Sequence, residues 1–119
     1  MKTEIDVIAR CSIHEGKLNS FREVAARCLS NVRAKEKGAM RYDWYLNTEQ
    51  KECVVIERYR DSEAVLEHIA NLGENLEALT ACCDLWIELY GNPSKELAET
   101  AAAMPVPVLS LMQGIDHAG

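Results

Sequence analysis

The chain has 119 residues, 48% of them hydrophobic, and a net charge of −6, which suits one domain with a modest core. No Lys/Arg run interrupts the acidic balance, so nucleic acid and anionic membranes are not expected partners. The five cysteines (Cys11, Cys28, Cys53, Cys82, Cys83) show no Cys-x-x-Cys spacing and each lies in an apolar pattern, no signal peptide is evident and no apolar run can span a membrane, which together predict reduced, buried thiols in a cytoplasmic protein.

Residues 5–13, IDVIARCSI, alternate. Ile5, Val7, Ala9, Cys11 and Ile13 point one way, and Asp6, Ile8, Arg10 and Ser12 the other, which predicts a strand. Residues 17–37 place Leu18, Phe21, Val24, Ala25, Cys28, Leu29 and Val32 at three-and-four spacing, the pattern of an amphipathic helix. Lys35 and Lys37 suit its last turn, and Gly38 reads as a left-handed helix stop. AMRYDWYL (39–46) and ECVVIERY (52–59), joined by a short polar turn, predict an antiparallel hairpin. A helix then runs from Ser62 to Leu72. Gly73 interrupts it, Glu74 to Thr80 adds a further turn or two, and DLWIELY (84–90) is the fourth strand.

The order β-α-β-β-α-β is the split βαβ, ferredoxin-like arrangement, an α+β fold with an antiparallel sheet. Its two helices cover one sheet face. The strands carry apolar side chains on both faces (Ile8, Trp44 with Tyr45, Val55 with Ile56, Trp86 between Leu85 and Ile87), so the open face predicts a homodimer packed sheet to sheet. That domain takes up residues 1–93. Residues 94–119 form a short helix capped by Ser94, then MPVPVLSLMQGID, where Pro105 and Pro107 restrict the chain to an edge strand or an extended arm packed on its own subunit or the partner.

Few residues carry candidate chemistry. Cys11 and His14, three apart on a strand, point to opposite faces, and no metal site is expected. Neither a nucleophile elbow nor a glycine-rich phosphate loop occurs. Glu57 shares a strand face with Val55 and Tyr59. If that face is inward, the carboxylate needs a partner such as Arg10, Arg41 or Arg58; otherwise it is a solvent-facing residue. His68 falls on the flank of the Val65–Ile69–Leu72 stripe, half over the core. An imidazole there suits proton transfer or a polar ligand, and equally an ordinary core-edge histidine.

Two stretches, KEKGAMRYDWYL and ECVVIERYRDSEAVLEHIAN, resemble the antibiotic biosynthesis monooxygenase (ABM) domain family: a glycine helix stop leading into a Tyr-bearing strand, then a strand ending in Glu-x-aromatic before a helix with Ala and His. The resemblance covers about residues 4–91. It implies a dimeric α/β barrel with a ligand pocket between sheet and helices, and cofactor-independent oxygenation of phenol- or quinol-like molecules. By correspondence, His68 matches the family's helix histidine, Tyr42 its strand tyrosine and Glu57 its strand glutamate. A second histidine, found in many relatives five residues on, is replaced by Gly73, and the asparagine and tryptophan of the haem-degrading relatives are absent. The expectation is therefore a homodimer without a cofactor that takes a small aromatic or quinone-like ligand. His68 would be the catalytic residue, Glu57 would contact the ligand, and Tyr42, Trp44 and Trp86 would form walls according to the face each occupies. The rival expectation is a non-enzymatic dimeric binding or assembly module, marked by a pocket filled with Met and Leu side chains.

Overall fold

The computed structural model describes residues 2–115. Its elements are β1 (Ile5–Ile13), α1 (Leu18–Lys35), β2 (Ala39–Leu46), β3 (Glu52–Tyr59), α2 (Ser62–Leu72), α3 (Glu74–Thr80), β4 (Cys83–Tyr90), α4 (Lys95–Ala103) and β5 (Val108–Leu109). The sheet order is β2-β3-β1-β4-β5. The pairs β2–β3, β3–β1 and β1–β4 are antiparallel, and β5 adds a short parallel edge beside β4. This is the ferredoxin-like α+β arrangement expected from the sequence.

Period-two alternation decides what each strand sends to the helices. Ile5, Val7, Ala9 and Cys11 of β1, Cys53, Val55, Glu57 and Tyr59 of β3, and Cys83 and Leu89 of β4 are buried on that side. They form two apolar clusters. One gathers Phe21, Val24 and Cys28 of α1 with Leu79 of α3, over Ala9, Cys11, Cys53 and Val55. The other gathers Ala64 and Val65 of α2 with Leu97 of α4, over Ile5, Val7, Tyr59 and Leu89. All five cysteines are buried and unpaired to one another by disulfide.

The end of α1 differs from expectation. The helix stops at Lys35, and Glu36 is already extended (φ −110°, ψ 106°), its N–H still bonded to the Val32 carbonyl. Gly38 does not adopt the left-handed conformation of a helix stop. Glycine is needed there for space: a Cβ at 38 would lie 2.5 Å from the Cβ of Ala64. The β2 entry thus presses against the first turn of α2. That turn is fixed by Asp61, whose side chain accepts from the Ala64 N–H at 2.9 Å, a conventional N-cap. At the other end, Gly73 (φ +50°) turns the chain from α2 into α3, where a side chain would be strained.

Residues 94–109 pack on their own subunit. Ser94 accepts from the Leu97 N–H and donates its own N–H to Ser62 Oγ, tying α4 to the start of α2. Beyond α4, the Pro107 and Leu109 carbonyls accept from Leu89 and Gly91 N–H groups at 3.0 and 2.9 Å. Pro107 lacks an N–H and uses only its carbonyl, which is why it is tolerated at this edge.

Candidate active site

His68 lies at the seam between the two apolar clusters. It is 6% exposed, so it is a core residue and not the half-covered boundary residue expected from helical spacing. The rings of Tyr42 and Tyr59 stand against it, with centroids at 5.1 and 5.2 Å. Its Nδ1 faces both carboxylate oxygens of Glu36 at 3.0 Å. Its Nε2 faces Glu57 Oε1 at 3.7 Å. The Tyr59 hydroxyl donates to that same Glu57 oxygen, and Asn71 Nδ2 donates to Glu36 Oε2 at 2.6 Å. One buried chain of polar groups thus runs Asn71–Glu36–His68–Glu57–Tyr59.

The partner for Glu57 is His68 with Tyr59, and not an arginine. Alternation sends Arg10, Arg41 and Arg58 to the opposite sheet face, where they pair with Glu88, Asp43 and Asp6. Burial pushes the Glu57 carboxyl up to about 7, against the pull of the His68 charge and the Tyr59 hydroxyl, with the nearby Glu36 adding to the rise. Burial would also raise Glu36, but the bonds from His68 and Asn71, together with the His68 charge, hold it below its usual range. Burial, then the Glu57 charge, pushes the Tyr42 and Tyr59 hydroxyls above the usual phenol range. Two carboxyls are therefore held on opposite sides of one imidazole, one ready to ionise and one that keeps its proton until near neutrality. Opposed shifts on neighbouring buried carboxyls occur at functional sites and in structural ion-pair networks alike.

His68, Glu57 and Tyr59 also form the polar edge of a cavity of about 60 Å³. The other walls are aliphatic. Val7, Ile87 and Leu89 come from the sheet, Val65, Ile69 and Leu72 from α2, and Leu97, Ala101, Met104 and Val106 from α4 and the segment after it. The C-terminal segment is therefore the outer wall of the cavity.

Three expected wall residues lie elsewhere. Tyr42 stands against His68 but does not line the cavity. Trp44 stands edge-on to Tyr42 and 5.9 Å from Phe21, in the cluster beneath α1, where its indole N–H has no hydrogen-bond partner among the described residues. Trp86 is on the open sheet face, 55% exposed, with its indole N–H donated to Glu88 at 3.0 Å. Alternation along β4 gives the helix side to Leu85, Ile87 and Leu89, and so sends Trp86 away from His68. Conversely, Glu36, Tyr59 and Asn71 were not anticipated as site residues. Tyr59 carried a signal, two residues from Glu57 on one strand face. Glu36 carried none, being one acid in a charged helix tail.

The family model for antibiotic biosynthesis monooxygenases matches residues 5–72, more than half of the chain and the span that supplies Glu36, Glu57 and His68. The chain belongs to the ABM family. Solved structures agree on the fold. MupZ from Pseudomonas fluorescens is 21% identical with a TM-score of 0.84, over 99% of this chain and 92% of its own. SnoaB, a cofactor-independent oxygenase from Streptomyces nogalater, is 22% identical with a TM-score of 0.66, over 78% of this chain and 96% of its own. Rv0793 from Mycobacterium tuberculosis is 21% identical with a TM-score of 0.68, over 78% and 98%. No curated protein sequence gives a significant match. The MupZ match covers nearly the whole chain, α4 included, whereas the SnoaB match leaves part of it uncovered. Family membership supports a monooxygenase-type or small-molecule-binding role. Among the described residues, no helix is long and apolar enough to cross a membrane.

Proposed function

We propose that this ABM protein is a cofactor-independent oxygenase in which His68 removes a proton from a small phenol- or quinol-like molecule. The observation that carries the reading is the His68–Glu57 pair, set at the only polar edge of an otherwise aliphatic cavity. His68 Nε2 takes the proton. The resulting electron-rich anion reduces dioxygen, one oxygen atom becomes a carbonyl on the ligand carbon, and the other leaves as water. Glu57, which keeps its proton until near pH 7, donates toward the developing oxygen anion. At about 60 Å³ the cavity is well below the ~300–1,000 Å³ of ordinary ligand pockets, so the ligand enters by displacing the outer wall at Met104 and Val106. Dioxygen uptake with a panel of quinols and anthrones tests this. His68→Ala should lower kcat by at least ~10²-fold; a panel without uptake, or uptake that the substitution leaves unchanged, overturns the reading. One observation favours the rival, a non-enzymatic binding or assembly module: Leu72, Leu76, Leu97 and Met104 occupy the walls and narrow the space.

The reading includes a homodimer through the open sheet face. Ile8, Val54 and Ile56 form an apolar strip there, flanked by exposed Tyr45 and Trp86 and by the Arg58–Asp6 and Arg41–Asp43 pairs. Such a strip, beside an indole, fits a self-complementary interface. Trp86→Glu is expected to shift the protein from dimer to monomer in a sizing experiment at micromolar concentration. Wild type running as a monomer there would sink the dimer.

A further inference from the structure

We infer that Glu36 is the positioning residue of the site: it holds the His68 proton on Nδ1, so that Nε2 presents its lone pair to Glu57 and the cavity. Neutral imidazole carries one proton, and its location follows from the bond made by the other nitrogen. Here the two nitrogens have unequal partners. Nδ1 meets two carboxylate oxygens at 3.0 Å on a side chain that is 1% exposed. An ionised carboxylate accepts only, so the proton on this side must belong to the imidazole. Nε2 meets a single oxygen at 3.7 Å, beyond hydrogen-bond reach. Asn71 makes the arrangement one-directional. Its amide donates to Glu36 Oε2 at 2.6 Å, which an anion accepts more strongly than a protonated acid.

The groups facing His68 from each packed element are Glu36 after α1, Tyr42 of β2, Glu57 and Tyr59 of β3, and Asn71 of α2 itself. Those that β1, β4 and α4 present at the cavity (Val7, Ile87, Leu89, Leu97, Ala101) carry no charge. Glu36 does not line the cavity and acts only through His68. The orienting arrangement is the one that makes a histidine an effective base, in which a buried carboxylate fixes the tautomer and stabilises the imidazolium once it forms.

The test uses nitrogen-15 and proton NMR of the free protein, so it needs no substrate, and its failure is separable from failure of the oxygenase reading. Wild type should show His68 protonated on Nδ1, with a slowly exchanging downfield proton, and bare on Nε2 at pH values where the ring is neutral. In Glu36→Gln a single carbonyl oxygen must serve both Asn71 and His68, and in Glu36→Leu no acceptor remains. In both variants the downfield signal should be lost or its exchange accelerated at least ~10-fold, and Glu36→Asp should restore it in part. Wild type carrying the proton on Nε2, or an Nδ1 signal that survives in both variants, overturns the assignment. If neither variant folds, the wild-type tautomer alone decides.

Discussion

Glu57→Gln should make the protein more stable than wild type at pH 8, while leaving it close to wild type near pH 5. Glu57 is 6% exposed, and burial lifts its carboxyl from 4.5 to about 7. A carboxyl with a higher pKa in the folded state binds its proton more tightly there than in the unfolded chain. Its contribution to stability is fully present below about 4.5 and is lost as pH rises through 7. At 1.36 kcal/mol per pH unit, the loss comes to about 3 kcal/mol. Glutamine keeps an acceptor for the Tyr59 hydroxyl and has no proton to lose. Glu36 acts in the opposite sense: its depressed carboxyl stabilises the fold above the ordinary carboxylate range and loses that contribution as pH falls. Wild type should therefore be most stable in mildly acidic solution, and the variant should lose only the decline between about pH 4.5 and 7. Urea unfolding of both proteins at pH 5 and pH 8 measures this. Equal pH dependence in wild type and Glu57→Gln would show that the buried carboxyl is not held in its protonated form. A stabilising substitution at a residue with an acid's role is the usual trade of function against stability, so the same variant should be impaired in turnover.

How much of this was legible in the sequence depended on whether a residue's neighbours were local. Strand alternation and helical spacing depend on side chains a few positions apart, and they placed β1 to β4, α1 and α2 within a few residues. The same alternation put Glu57 and Tyr59 on one face. It did not say which face the helices cover, because β2, β3 and β4 carry large apolar side chains on both sides. Trp86 and Leu85 compete for the core on equal terms in the sequence, and only the packing of α1 and α3 on one sheet face decides between them. His68 looked half-covered because a helical wheel sees one helix. Its exposed flank is closed by the chain after α1 and by Tyr42, both distant in sequence. Glu36 is the clearest case. Between Lys35 and Lys37 it reads as a solvated helix tail, but His68 and Asn71 of α2 meet its carboxylate, two residues from the close approach at Gly38.

That approach sets the other large expectation. Gly38→Ala would place a methyl group 2.5 Å from the Ala64 Cβ, with the Ala64 Cα 3.6 Å away. Neither neighbour is the far end of a flexible side chain that could swing aside. The first turn of α2 is held by Asp61 and tied to α4 through Ser62 and Ser94, so the strain falls on the β2 entry and the chain just before it. Overpacking of this kind costs roughly 1–3 kcal/mol, which should lower the urea midpoint with little change in slope. The consequence for the site is larger than the stability change suggests. Glu36 is two residues from the clash and Ala64 is one helical turn before His68, so relief of the overlap moves the carboxylate away from the imidazole. A displacement near 1 Å is enough to break a bond of 3.0 Å and to cost about 10²-fold in a positioned reaction. Ala64→Gly in the same chain removes the opposing methyl group and should recover much of the lost stability, less the ~1 kcal/mol that glycine costs inside a helix. It should also return the Nδ1 proton signal of His68. Recovery of neither property in the double variant would mean that close backbone approach is not what fixes glycine at position 38.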